Sequence, residues 1–206
     1  MRLIPASKVA SFIGFEEGVN SSEIEQATDS ASEQIIALLG TELDAVVGRV
    51  DTFYVPPSMS LRQADNIYRT RLALSRGFLT SLPVARMGLV YPSIETDGEL
   101  LGAETMAVNM QKGELVLSGA DMNGMYVRVM YDAGYEVTDG EFDVDALPNW
   151  LVQATILQAV ILLDSMHPKM RMESGADKSV AQLNKTLAAI LTSKQRYFPS
   201  AVHPIV

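Results

Sequence analysis

The sequence predicts an α+β protein: a helical bundle with an inserted small antiparallel β domain and an extended C-terminal arm. Three observations predict it. Apolar residues recur at helical spacing before residue 48 and again after residue 147. Between them the pattern changes to short β-branched and aromatic runs separated by Gly, Pro and Asn turns. Beyond residue 193, Pro199 and Pro204 favour an extended chain. The divisions read as 1–48 for N-terminal helices, 49–140 for the β insertion, 141–193 for helices completing the bundle, and 194–206 for the arm.

The elements follow in order. A helical turn is expected over 6–12, then a loop over 14–18. Ser22-Glu23-Ile24-Glu25 has the form of a capping box, with Glu25 three residues after Ser22. Ile24, Ala27, Ala31, Ile35, Leu38 and Leu39 then share one helical face, and Glu23, Glu25 and Asp29 lie where the helix dipole favours acids. A helix is expected over 22–39, with Gly40 separating it from a second helical stretch to Val47. Residues 49–55 are β-rich and stop at Pro56-Pro57. Further strands are expected over 68–74, 84–91, 106–110, 114–117 and 126–131. Asn123-Gly124 is the strongest hairpin-type signal, because a type I′ turn needs positive φ at both central residues. Helix returns at Leu147-Pro148-Asn149-Trp150, where Pro148 suits a first turn. Residues 150–166 are apolar on most sides, as in a central helix, and His167-Pro168 ends them. Asp177 caps a last helix, to 193, whose Val180, Leu183, Leu187, Ile190 and Leu191 form one stripe.

Composition narrows the function. The chain has 206 residues and a mass of 22.4 kDa, enough for a sizeable core without staples. It has no cysteine and only two histidines, His167 and His203, which excludes disulfides, thiolate chemistry and a multi-histidine metal site within the chain. The net charge is −9, a poor balance for a free-standing duplex binder. Residues 1–49 carry −5, residues 50–140 carry −4, and residues 141–206 are neutral. That unevenness reads either as a solvated surface or as self-complementarity between copies. No signal peptide is expected, and the apolar run 150–163 is short for a bilayer, so a soluble protein is expected.

A search for catalytic motifs finds none. There is no dinucleotide fingerprint, P-loop or nucleophile elbow. Asp139, Glu141, Asp143 and Asp145 alternate like a calcium loop, but its glycine and terminal glutamate positions hold Val144 and Trp150. A solvated acidic connector is expected instead, with no cofactor and no metal. Arg62, Arg69, Arg71 and Arg76 cluster around one loop. They read either as partners of carboxylates or as channel-lining or inter-subunit contacts. The terminal segment carries Tyr197, Phe198, Val202, Ile205 and Val206, unlike a disordered tail. It either folds back on its own domain or docks into another subunit with aromatic anchors.

The order of elements resembles a family. Val127-Arg128-Val129-Met130-Tyr131-Asp132-Ala133-Gly134-Tyr135, a loop, and then Leu147-Pro148-Asn149-Trp150-Leu151-Val152-Gln153-Ala154 resemble the head–tail connector (adaptor) proteins of tailed bacteriophages. Residues 72–84 are similar to the segment entering that family's β insertion. The likeness covers roughly 20–166. It departs at Leu163-Asp164-Ser165-Met166-His167, where the family carries a Tyr-Glu-Asn-Arg-like run. The resemblance implies a structural, non-enzymatic virion protein, made in the host cytoplasm and placed at the head–tail junction. It implies a ring of copies, commonly twelve, under the portal, extending the DNA channel and docking the next neck or tail protein. DNA is then expected to pass without sequence-specific binding, with no membrane involved. By the same likeness Tyr197, Phe198, Val202, Ile205 and Val206 are expected to form the arm toward portal or subunit. A stopper or tail-completion protein is the alternative within this class, and a β-domain binding module or hydrolase the alternative outside it.

Overall fold

The computed structural model describes residues 1–14, 21–62, 67–91, 97–166, 180–196, 198 and 201–205, with side chains at 61 and 62 excepted. The chain divides into two compact units, one of Met1–Gly40 with Tyr135–Gln195, the other of Thr41–Gly134 with Arg196–Val206.

The first unit holds the helices α1 (Ala6–Ile13), α2 (Ser21–Leu39), α3 (Asn149–Met166) and α4 (Val180–Thr192). α3 packs on α1, α2 and α4. Its Leu151, Ala154, Ala159, Val160 and Leu163 are buried, as are Ile24, Ala27, Ala31 and Ile35 of α2 and Leu183, Leu187 and Leu191 of α4. Small residues let α2 and α3 approach, and their buried hydroxyls stay satisfied. Thr28 donates to the Ile24 carbonyl at 2.6 Å, and Thr155 to that of Leu151 at 2.9 Å. α3 is the one described helix long and apolar enough to cross a membrane by length and composition.

The second unit holds two antiparallel four-stranded sheets. One runs β1-β8-β4-β5 and the other β2-β3-β7-β6. Their strands are β1 (Val46–Tyr54), β2 (Leu61–Arg62), β3 (Tyr68–Ala73), β4 (Val84–Gly88), β5 (Glu99–Leu100), β6 (Met106–Asn109), β7 (Glu114–Gly119) and β8 (Tyr126–Ala133). Alternate residues point inward. Phe53, Val127, Val129 and Tyr131 of the first sheet share a core with Leu72, Leu115 and Leu117 of the second. A third, two-stranded sheet, β9 (Val137–Thr138) and β10 (Glu141–Phe142), belongs to the helical unit.

The expected helical bundle with a small β insertion is corrected by this arrangement. Among the described residues, ten strands in three antiparallel sheets stand beside four helices. The second helical stretch to Val47 does not form. Gly40 takes φ +65° at the end of α2, and the β-branched Val46, Val47 and Val50 enter β1, with a register shift between Val46 and Arg49. The hairpin signal also moves. Asn123-Gly124 joins β7 to β8, which lie in different sheets, and only Gly124 of that pair has positive φ. The type I′ condition is met at Asp139-Gly140, with φ of 53° and 84°, where β9 turns into β10. The acidic connector is thus partly a hairpin. The extended C-terminal arm is corrected as well, because the chain after Gln195 is built into the β unit. Expectations at His167 and Asp177 lie outside the described residues.

Candidate functional site

The terminal segment folds back on its own unit. Val202 forms a parallel bridge with Leu72, donating its N–H to the Arg71 carbonyl at 2.8 Å while its carbonyl accepts from Ala73 at 2.9 Å. Ile205 donates to the Thr52 carbonyl at 2.7 Å. Val202 is 6% exposed and joins the core, whereas Ile205 is 52% exposed. Phe198 is half-buried, with the Arg196 guanidinium 5.4 Å from its ring centre. Tyr197 and Val206 lie outside the described residues.

Arg196 anchors this segment, and the sequence reading passed over it. Its Nε donates to the Lys112 carbonyl at 2.8 Å and its Nη1 to that of Ser75 at 3.0 Å, with Nη2 reaching the Leu74 carbonyl. Burial holds the guanidinium below its ordinary pKa, against the favourable influence of Tyr131 and Asp51. Asp51 is itself buried. It accepts from the Tyr131 hydroxyl at 2.7 Å, the Ser75 N–H at 2.6 Å and the Ser75 hydroxyl at 2.8 Å. Burial pushes the Tyr131 phenol up to about 12; Asp51 pushes the same way and the Ser75 hydrogen bond opposes. A carboxylate at position 51 of a strand reads as a surface residue in sequence. Only the inward half of the β1 alternation betrays it, because its donors lie 24 and 80 residues away.

Two of the four arginines have separate carboxylate partners. Arg76 is buried, donates to the Asp44 carboxylate at 3.0 Å and carbonyl at 2.7 Å, and pairs with Glu42. Burial lowers its pKa. Arg71 pairs with Glu114, its Nε donating at 2.8 Å. Carboxylate pairing is therefore the arrangement for these two. Arg69 is half-buried on β3, opposite Ser118. Arg62 pairs its backbone with Tyr68.

Two concave features stand out among the described residues. A groove of about 740 Å3 on the β unit is lined by Arg49, Thr52, Tyr91, Tyr126, His203 and Ile205, among others. A smaller, more polar one on the helical unit, about 360 Å3, gathers Asp29, Glu33, Asp139 and Glu141 around Arg2. There the Arg2 Nε donates to Asp29 at 2.6 Å, and that hydrogen bond holds Asp29 below the usual carboxylate range. A carboxylate so held stays ionised and is a poor general acid. No group of three His, Cys, Asp or Glu among the described residues is arranged to hold a metal ion. The chain matches no family model and no curated protein.

Proposed function

We propose that this protein is a structural head–tail connector (adaptor) of a tailed bacteriophage. In this reading copies form a ring, commonly of twelve, under the portal, extend the DNA channel and dock the next neck or tail protein. The protein is made in the host cytoplasm and resides in the virion at the head–tail junction.

The observation that carries the reading is where its family-like residues lie. Residues 127–133 run along β8, which pairs with β1 on one side and β4 on the other. Gly134 follows at φ +88°, where a Cβ would stand 2.1 Å from the Asp44 carbonyl oxygen, so only glycine fits. The chain leaves the β unit there. Leu147-Pro148 then opens α3, the Pro148 carbonyl accepting from Leu151 at 2.8 Å. These residues build a scaffold: a central strand, an obligate glycine exit and a central helix.

Electrostatics favours the same role. The helical unit has seven basic against fourteen acidic residues, a net −7, and the β unit nine against eleven, a net −2. An acidic wall repels phosphate, which suits DNA that slides past. Arg71 and Arg76 are already matched by carboxylates and so lack the free charge a phosphate grip needs. Of the terminal residues, Phe198 and Ile205 are the accessible candidates for a portal contact, while Val202 is committed to the core.

The test is electron microscopy of the protein mixed with the portal of the same phage, beside light scattering of each alone. Added density forming a ring beneath the portal is expected. A protein that ignores the portal at micromolar concentration would sink the reading.

A further inference from the structure

The groove on the β unit joins an aromatic ridge to a set of hydrogen-bond donors. Val50, Thr52 and Tyr126 reach it from the outer face of the β1-β8 ladder, and His203 and Ile205 from the terminal segment. Its volume of about 740 Å3 lies within the range of about 300–1,000 Å3 usual for ligand pockets. Tyr126 packs against Tyr54, with ring centres 5.2 Å apart and planes tilted by 51°, and against Tyr91, at 5.9 Å and 41°. Tyr91 is 52% exposed and Tyr54 38%. A flat ring cannot enter between such neighbours, because it needs about 3.5 Å of clearance on each side. The three rings therefore offer edges and hollows, not a stacking slot. A polyproline II chain suits that surface. It rises about 3.1 Å per residue, so two residues cover about 6 Å, close to the spacing of the rings.

Hydrogen bonding narrows the occupant further. Arg49, Thr52, Tyr91 and Tyr126 can all donate. Among the described lining residues, the one side chain that only accepts, Asp51, already holds the Tyr131 hydroxyl and both Ser75 donors at 2.6–2.8 Å. Arg49 reaches Asp51 through Nε at a longer 3.5 Å, on a side chain 49% exposed, and a guanidinium carries five N–H donors. The Thr52 carbonyl is engaged as well, accepting from the Ile205 N–H at 2.7 Å. The groove is thus rich in donors and poor in open acceptors. A proline-rich chain is its inverse, since every residue keeps a carbonyl and proline has no N–H. A strand added to the β1 edge would need donors and acceptors in alternation. That edge is also bent, with Gly48 at φ +63° inside the register shift between Val46 and Arg49.

We propose that this groove binds a proline-rich, extended segment of a partner protein. Its prolines rest against Tyr54, Tyr126 and Tyr91, and its carbonyls accept from the tyrosine hydroxyls and Arg49. Arg49 also favours an acidic residue beside the prolines. The polyproline II form is preformed, so the segment loses little entropy on binding. The inference goes beyond the connector reading and stands without it. In a connector the segment would belong to a neighbouring virion protein.

Titration of the isotope-labelled full-length protein with peptides, followed by amide NMR, tests the proposal without any portal. The probes are decaproline, decaproline followed by two glutamates or by two lysines, a Gly-Ser peptide, a Val-Thr strand peptide and oligothymidine. Decaproline should shift the amides of Thr52, Tyr91 and Tyr126, and the Gly-Ser peptide should not. The glutamate tail should bind about two- to fivefold tighter than the lysine tail, and Arg49→Glu should reverse that order. Tyr91→Ala should weaken decaproline binding by about tenfold or more. Tyr91→Phe keeps the ring and loses only a donor, so it should stay within about fivefold of the wild type. Tyr91 and Arg49 are exposed, and circular dichroism checks that the variants fold. No shift at millimolar decaproline, a Tyr91→Ala protein that binds like the wild type, or tighter binding of the Val-Thr peptide or of oligothymidine would overturn the proposal. A ring beneath the portal without peptide binding would remove this inference and keep the connector reading. Peptide binding without a ring would do the reverse.

Discussion

Val202→Ala is the sharpest probe of how the terminal segment is held. At 6% exposure Val202 lies in the β core beside Leu72. The substitution removes two methyl groups, worth about 0.8 kcal/mol each, and the cavity left behind brings the expected cost to about 2–3 kcal/mol. For a chain of this length that lowers a melting temperature by about 4–12 °C. The two units offer separate reporters. The single tryptophan, Trp150, is in the helical unit, whereas six of the seven tyrosines are in the β unit. Near-ultraviolet dichroism of tyrosine should therefore record the loss, and Trp150 fluorescence should record less of it. Ile205→Ala is the control. Its side chain is 52% exposed, so its cost should stay within about 0.5 kcal/mol. If Val202→Ala were as mild as Ile205→Ala, the segment would not be a core element and the account of its anchoring would be wrong. If instead the tyrosine signal falls as expected, a truncation before Arg196 is unsuitable for testing portal attachment, because it would damage the β unit first.

Two further substitutions probe the interior. Tyr131→Phe removes a hydrogen bond to the buried Asp51 carboxylate and the acceptor of the Arg76 N–H, for about 2–4 kcal/mol in urea denaturation. Its pH signature is specific. The folded phenol titrates near 12 against 10 when unfolded, so its contribution is complete below pH 10 and is lost as pH rises toward 12, by up to about 3 kcal/mol. Tyr131→Phe should flatten that alkaline loss, and an unchanged pH profile would contradict the assignment. Gly134→Ala should cost about 3 kcal/mol or more, because it adds left-handed strain to a Cβ 2.1 Å from the Asp44 oxygen. A near-neutral Gly134→Ala in thermal melts would mean that the exit from β8 has slack that the geometry denies.

Much of the element order was legible from periodicity, because periodicity is local. The α2 stripe from Ile24 to Leu39 and the alternation of β8 both reflect burial on one face. The failures arise where two local patterns coincide or where the deciding partner is remote. Leu43, Val46 and Val47 fit helical spacing, yet the same valines suit a strand, and tertiary pairing with β8 decides between them. Asn123-Gly124 and Asp139-Gly140 are equivalent turn signals in sequence. Which closes a hairpin depends on whether its flanking strands pair, and β7 and β8 do not. The anchoring of the tail was one of two open readings. It is settled by Arg196 reaching carbonyls 84 to 122 residues away, a separation no short window can contain. The tyrosine ridge was missed for the same reason, since Tyr54 and Tyr126 meet only through register.

β8 alternates between two environments along its length. Its odd-numbered residues, Val127, Val129, Tyr131 and Ala133, are buried and hold the sheet together. Its even-numbered residues Tyr126, Arg128 and Met130 form the middle column of the outer face. A period of two therefore separates buried from outward-facing positions within a run of eight residues. Substitutions at odd positions should lower the melting temperature, and substitutions at even positions should lower it far less. A one-residue slip would exchange the two sets, putting Arg128 and Asp132 into the core. The Asp51–Tyr131 hydrogen bond and the exit at Gly134 both oppose that slip, since each requires its residue on one face only. The buried polar network thus specifies the register of β8 against β1.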